Sequence, residues 1–302
     1  MMPGGEHSAR APIVSLVVIA YEMQRELPRT VYSLCPPYQS GIRPDDIELI
    51  IIDNGSQKPV EQADLPVEGI QVSMVRMGAA SPSPAAAINH GIAMARGALV
   101  GLWIDGARLA SPGILAGAVA AHRMDPDAPV FTLGFHLGHK PQQEAIREGY
   151  CREVEDMLLK TVDWHEDGYR LFDICALGKS AGDGWYSVLP ESNGLFLPRT
   201  LWQILDGVDE RFQRPGGGLV NLDLMKRIID HGGARPVTLL GEGTFHQIHN
   251  GASTNSSVSP WPEFVREYEA IRGEPFRPSQ YDTRYLSVLP QARLGGLLQK
   301  FA

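Results

Sequence analysis

Cysteine is scarce in this chain. Three occur in 302 residues, Cys35, Cys151 and Cys175, odd in number and far apart. That pattern excludes a disulfide framework and a zinc knuckle, and points to reduced thiols in a cytoplasm. Long hydrophobic runs are missing as well. Residues 13–20 form one of the longest, far short of the ~20 apolar residues that cross a bilayer, so no transmembrane segment is expected. The opening MMPGGEHSAR has no apolar stretch between a basic start and a cleavage site, so no signal peptide is expected. Positive charge is in the minority: 27 Lys and Arg against 35 Asp and Glu give a formal net charge of -8. This balance disfavours a broad nucleic-acid surface, while leaving room for a local basic pocket that takes one phosphate. With 43% apolar and 21% charged residues, most of the chain has the material to fold. Its length suits one large domain or two modest ones.

What is present is an alternation of short apolar runs with helical patterns. The runs cover 13–20, 47–53, 70–77, 98–105 and 128–135; the first, second and fourth are nearly continuous in Val, Ile and Leu. Continuous rather than alternating runs mark strands covered on both faces, as in a parallel sheet between helices. Helical patterns fall at 25–34, 84–96 and 111–123, the last with Ser111 as N-cap and Pro112 in its first turn. The order is βαβ-like and predicts an α/β fold with a mostly parallel central sheet flanked by helices. Further on, 140–161 reads as one long polar-faced helix, 192–197 as a strand, 200–205 and 219–231 as helices, and 236–249 as extended. A small polar loop is expected at 253–259, a helix at 263–272, and RLGGLLQKF closes the chain, packed on the body or on a second protomer to give a homo-oligomer.

Polar residues interrupt the apolar runs at three comparable places. Ala20-Tyr21-Glu22 follows the first strand, Asp53-Asn54-Gly55-Ser56 the second, and Asp105-Gly106-Ala107-Arg108 the fourth. In an open parallel sheet these turns share the carboxyl edge, where α/β folds bind ligands. Any one alone reads as a plain polar turn, since Asn-Gly supplies positive φ; three in register, two opening on Asp, favour a site. The first turn lacks G-x-G-x-x-G and no G-x-x-x-x-G-K-[ST] occurs, which disfavours a dinucleotide fold and a P-loop. An Asp ending the second strand can accept from a base N–H or a ribose hydroxyl, and one ending the fourth can approach the ribose or a metal on a pyrophosphate.

VSLVVIAYEMQRELPRTVYSL, ELIIIDNGS and INHGIAMARGALVGLWIDGA, in this order and spacing, resemble the nucleotide-binding half of a family 2-type glycosyltransferase with the GT-A fold. The resemblance runs over roughly residues 13 to 250. It implies that Ala20, Tyr21, Glu22, Asp53 and Asn54 lie at the base and ribose, that Asn89 with Gly91 and Gly97 belongs to the stretch before the fourth strand, and that Asp105 meets the ribose and a metal-bound diphosphate. Two departures stand out. The second carboxylate of the family's Asp-x-Asp is Ala107 here, and the family's Glu-Asp pair aligns with Val220-Asn221, followed by Asp223. Asn cannot take a proton from a hydroxyl at neutral pH. Either another carboxylate, Asp223 or Glu191, is the base, or the reaction retains anomeric configuration beside Asn221.

The resemblance further implies a late histidine ligand. Asp105 with His246, and His249 as an alternative, is expected to hold a divalent cation, Mn²⁺ or Mg²⁺. Arg76 or Arg108 would otherwise neutralise the leaving group. Gly216-Gly217-Gly218 reads as a close-approach or flexible loop, and Trp164, Trp185 and Tyr186 as acceptor-stacking or core aromatics. The expectation is a cytoplasmic, metal-binding hexosyltransferase moving a sugar from a UDP- or GDP-sugar to a saccharide or other hydroxyl. The alternatives are a nucleotidyltransferase that makes nucleotide sugars and an inactive nucleotide-sugar-binding protein. Its expected parts are an unstructured 1–12, a nucleotide-binding half at 13–138, an acceptor-binding and catalytic half at 139–252, and a small helical extension at 253–302.

Overall fold

The computed structural model describes residues 11–78, 81–249 and 259–301. The opening segment expected to be unstructured and the polar loop expected at 253–259 fall almost wholly outside the described residues. The chain runs β1 (Val14–Ala20), α1 (Glu26–Leu34), β2 (Ile47–Asp53), β3 (Gln71–Arg76), α2 (Ala85–Met94), β4 (Leu99–Trp103), β5 (Arg108–Ala110), α3 (Ile114–Met124) and β6 (Val130–Leu137). It continues with α4 (Gln142–Ala145), α5 (Arg152–Leu159), β7 (Cys175–Leu177), β8 (Leu195–Pro198), α6 (Arg199–Ile204), α7 (Val220–Asp230), β9 (Val237–His246), α8 (Trp261–Arg272), β10 (Arg284–Leu286) and α9 (Gln291–Lys300).

β1, β2 and β4 are buried along their entire lengths. Because successive side chains point to opposite faces, each continuous apolar run feeds two core layers. Leu16, Val18, Leu49 and Ile51 pack under one face, and Val17, Ile19, Ile50 and Ile52 under the other. The sheet order is β10-β9-β6-β8-β4-β1-β2-β3. β3, β2, β1 and β4 are mutually parallel, as are β6, β9 and β10, whereas β8 runs antiparallel between β4 and β6. The expected α/β sheet is therefore mostly parallel, with antiparallel pairs at β8, at β5 on β9 and at β7 on β6.

The pairing of β5 with β9 positions the chemistry. Only four residues separate β4 from β5, yet β5 leaves β4 and docks on β9 with Arg108 opposite His246. The loop at the end of β4 is thereby carried to the end of β9. β6 supplies the other flank, with Phe135 opposite Phe245 and His136 opposite His246. Period two sends the phenylalanines to one face and the histidines to the other. Phe135 meets Phe245 at 5.6 Å, Phe172 at 5.1 Å and Phe301 at 4.9 Å between ring centroids. Each such pair adds about 0.5–1.5 kcal/mol beyond area burial, which secures the register that aligns the histidines.

Several local expectations are corrected. α3 starts at Ile114 after Gly113, because the Ser111 hydroxyl donates to Glu242 and accepts from Gly243 N–H instead of capping the helix. The helix expected over 140–161 is broken into α4 and α5, because Gly149 adopts φ 93° and Cys151 is extended. The C-terminal stretch is not solely helical, since β10 extends the sheet on β9. Its last helix packs on the body: the Trp185 indole donates to the Leu297 carbonyl at 3.0 Å. Trp164 and Trp185 are core residues, 3% and 0% exposed, which leaves Tyr186 as the exposed aromatic of the three. Gly216, Gly217 and Gly218 all have positive φ, and a Cβ on Gly217 would come within 2.6 Å of Val220, so the loop needs glycine for its backbone path.

Candidate active site

β2, β1 and β4 are neighbours, and their registers pair Ala20 with Asp53 and Val18 with Trp103. Asp53, Ala20 and Asp105 thus end adjacent strands at one level of the carboxyl edge. Two strand spacings put the aspartates' backbones about 10 Å apart, a span that suits a nucleoside diphosphate lying across the edge. Asp53 is 2% exposed, and its Oδ1 accepts from Gly55 N–H at 2.9 Å and Ser56 N–H at 2.7 Å. Among the described residues its Oδ2 has no partner. Tyr21 exposes its ring beside this turn, and Glu22 sits at φ 52° with its N–H on Ser56 Oγ. Gln57 N–H, and then Gln24, hold the Glu22 carboxyl below the usual range. Asn54 ties the turn to the next loop, its amide donating to the carbonyls of Ser81 and Ser83. Arg76 donates to the Ser56 carbonyl at 2.6 Å.

At the end of β4, Asp105 Oδ1 accepts from Ala107 N–H at 2.9 Å, leaving Oδ2 to face two imidazoles. His246 Nε2 is 2.7 Å and His249 Nε2 3.2 Å from that oxygen, and the two nitrogens are 3.1 Å apart. All three potential ligand atoms lie within 4.8 Å of one another. The Gln142 amide sets the tautomer. Its Nε2 donates to the His246 carbonyl at 3.1 Å, so its Oε1 must be the atom 2.6 Å from His246 Nδ1. A carbonyl oxygen accepts only, so Nδ1 carries the proton and Nε2 presents a lone pair.

Burial first, and Arg108 next, push His246 down to about 4, so the ring is neutral at physiological pH. For His249 burial acts the same way, but the Asp105 charge outweighs it and the net shift is upward. Burial alone would raise the Asp105 carboxyl; the charge of the neighbouring His249 opposes it, and the carboxyl is held well below the ordinary range. The pocket therefore gathers three acceptors around at most one proton, the one on His249 Nε2. One carboxylate oxygen and two imidazole nitrogens, with His246 oriented from behind by Gln142, fit a divalent transition ion. Ala107 faces elsewhere, fully buried in the apolar cluster that holds Met23 and Leu27.

The His246–His249 segment is held from below. Ile248 N–H donates to Glu155 Oε2 at 2.8 Å, and Arg25 donates to Glu155 Oε1 at 3.0 Å. Burial pushes the Glu155 carboxyl up to about 7, against these bonds. Glu242, four residues before His246, accepts from Tyr169 OH at 2.6 Å, from Gly113 N–H at 3.1 Å and from the Ser111 hydroxyl; burial raises it to about 7 as well.

A second polar cluster adjoins the pocket. Asn221 Nδ2 donates to Glu191 Oε2 at 2.7 Å and Asn193 Nδ2 to Glu191 Oε1 at 3.5 Å. Arg108 feels the charges of both Asp105 and Glu191, which bridges the two clusters. Asp223, by contrast, is buried with its carboxylate on Arg272 at 2.6 and 2.7 Å and on Arg227 at 3.0 Å. Asn89 is also remote: its amide accepts from Val208 N–H and donates to the Val208 carbonyl and Glu210. Asn89 borders a separate open cavity of about 690 Å³, as do Arg227 and Arg272, which are already paired with Asp223. The structure thus brings together Asp105, His246, His249, Arg108, Glu191 and Asn221, with Ala20, Tyr21, Glu22 and Asp53 along the same edge, and leaves Asn89 and Asp223 outside. Gln142 and Asn193 carried no sequence signal, since each is a polar residue in a polar stretch. Glu242 did carry one, as a carboxylate inside an extended run.

Among the described residues no helix is long and apolar enough to cross a membrane. Residues 15–142 match the family model for glycosyl transferase family 2. The curated proteins contain no significant match to the chain. Of solved structures, it is similar to S. aureus TarS 1-349, with a TM-score of 0.53 and 11% identity over 95% of this chain and 70% of that one. It is similar to the same fragment in complex with UDP-GlcNAc at a TM-score of 0.54 and 13% identity, over 95% and 71%. The complex with UDP gives 0.51 and 13%, over 95% and 70%. At these identities the likeness speaks for the fold alone, and the family match spans β1 through β6, including the strands that Asp53 and Asp105 follow or end. Residues 15–142 thus form a glycosyl transferase family 2 domain, and the fold of the chain is that of the GT-A glycosyltransferases.

Proposed function

We propose that this enzyme moves a sugar from a UDP-sugar donor to a hydroxyl of a saccharide or similar acceptor. The observation that carries this reading is the edge itself, where Asp53 stands two strands from the Asp105, His246 and His249 cluster. Asp53 Oδ2 accepts from the base or ribose, and Tyr21 supplies an aromatic surface beside it. TarS structures in complex with UDP and UDP-GlcNAc support a uridine donor for this fold. A divalent cation held by Asp105, His246 and His249 would neutralise the diphosphate as it departs. Three unpaired cysteines, two of them buried, support a reducing, cytoplasmic setting.

Asn221 favoured retention when considered alone. Its amide, however, holds the Glu191 carboxylate at 2.7 Å, beside the position where the family's base aligns. Glu191 is the proposed base: it takes the acceptor hydroxyl's proton while Asn221 and Asn193 fix its direction. Attack from that side inverts the anomeric centre. NMR of the anomeric proton in early product tests the assignment, and a retained product would overturn Glu191 as base. The nucleotide reading is tested by a thermal-shift panel of UDP-, GDP- and dTDP-sugars with and without Mn²⁺. Ligand at ~100 times its dissociation constant adds about 2.7 kcal/mol of stability. A shift with UDP-sugars is expected, and no shift with any nucleotide would sink the reading.

A further inference from the structure

Arg108 is the unusual cation of this protein. Its side chain is only 11% exposed, yet none of its N–H groups makes a hydrogen bond among the described residues. Its Nε is buried with no acceptor. The neighbouring anion, Asp105 Oδ2, is 3.9 Å from Nε and lies closer to both imidazoles. Other partly buried arginines hold a carboxylate at close range: Arg25 has Glu26, Glu155 and Asp156, and Arg227 and Arg272 have Asp223. Arg29 and Arg284, each with one buried nitrogen unpaired, have Asp156 and Asp125 at 2.7 Å. Arg76, the other candidate for the leaving group, already donates to the Ser56 carbonyl. A guanidinium taken out of water without partners is costly, so its place must be maintained by something it binds.

The surroundings say where that ligand sits. Arg108 pairs with His246 across β5 and β9, so its side chain emerges next to the Asp105 pocket. Its Nη1 reaches over Gly134 of β6, lying 3.9 Å from where a Cβ would stand, with Asn193 Nδ2 and Ser180 Oγ at 3.6 and 3.8 Å from the same point. The guanidinium thus spans the gap between the metal-type pocket and the Glu191 cluster. That gap is where the bond between sugar and diphosphate must lie if the donor crosses the strand edge.

We infer that Arg108 is a catalytic anion-binding residue, which receives the β-phosphate of the donor and the charge that develops on it. This rests on the nucleotide-sugar reading above. As the sugar C1–O bond breaks, its electron pair passes to the β-phosphate oxygen, the acceptor oxygen bonds to C1, and the acceptor proton passes to Glu191. Arg108 stays protonated and donates N–H groups to the phosphate oxygens, a contact strongest when that charge is fullest.

The test is calorimetric binding of UDP, UMP and uridine to the full chain, with Mn²⁺ and again in EDTA, for wild type, Arg108→Gln and Arg108→Lys. Arg108→Gln should weaken UDP at least tenfold in both conditions while uridine stays within twofold, and Arg108→Lys should recover part of the loss. The melting temperature of the ligand-free Arg108→Gln protein should hold or rise, because an unpaired buried charge is removed; a marked fall would make Arg108 a structural residue and overturn the inference. UDP affinity unchanged by Arg108→Gln overturns it too, as does an equal loss for UMP, which would assign Arg108 to the α-phosphate. Wild type that binds neither uridine nor UDP would instead defeat the nucleotide-sugar reading, and this inference with it.

Discussion

Gln142 offers a sharp perturbation because it touches no ligand and acts only through His246. In Gln142→Leu the side chain keeps its approximate volume and loses both amide contacts: Oε1 on His246 Nδ1–H and Nε2 on the His246 carbonyl. The backbone bond from Gln142 N–H to His136 Nδ1 at 2.8 Å remains. Two buried groups are left without partners, each worth about 1–3 kcal/mol, so stability should fall by about 2–6 kcal/mol. The second effect is on the metal pocket. Freed from its acceptor, His246 can move its proton to Nε2, where it hydrogen-bonds Asp105 and has no lone pair for a cation. Loss of such an orienting partner typically lowers metal affinity ~10–100-fold. Mn²⁺ binding read by electron paramagnetic resonance should show this drop, and ¹⁵N spectra of the His246 ring should report the changed tautomer. Gln142→Glu keeps an acceptor for Nδ1–H and should restore Mn²⁺ affinity even if its stability differs. Unchanged Mn²⁺ affinity in a folded Gln142→Leu protein would refute the argument that this amide sets the lone pair.

Asp53→Ala should weaken UDP binding by about 1.5–3 kcal/mol, roughly the value of a hydrogen bond to a charged group, while Mn²⁺ affinity is unchanged; equal UDP affinity by calorimetry would remove Asp53 from the site. Asp223→Asn should act on stability, costing about 3–5 kcal/mol in denaturant unfolding by leaving Arg227 and Arg272 beside a neutral amide. A stable Asp223→Asn protein that has lost turnover would return Asp223 to the catalytic group. Glu242 is pushed up to about 7 by burial, so the folded state holds a proton there that the unfolded chain releases near 4.5. Its contribution is fully present below 4.5 and lost as pH rises to about 7, at about 1.4 kcal/mol per pH unit. Wild type should therefore lose about 3 kcal/mol relative to Glu242→Gln across that window, and parallel stability curves for the two proteins would contradict it.

Much of this protein was legible before folding was considered, and for a definite reason. Continuous Val, Ile and Leu over 13–20 and 47–53 can be buried only with both strand faces covered, and that forces a sheet between layers with its polar turns at one edge. Asp53 and Asp105 end such runs, so their place at the carboxyl edge follows from the pattern alone. Helix ends were less legible where a side chain had a distant use. Ser111 looked like a cap until Glu242, on a strand more than a hundred residues later, took its hydroxyl. The remainder depended on which strands cross. Arg108 faces His246 because β5 leaves β4 for β9, and Gln142 reaches the same ring only after a helix pattern is interrupted at Gly149. Asp223 and Asn89 carried the right chemistry for a site, but Arg272 and Val208, far along the chain, engaged them first. Periodicity records which face of an element avoids water. It carries no record of the long-range partner that satisfies a buried polar atom, and at this site those partners decide which groups remain open to a ligand.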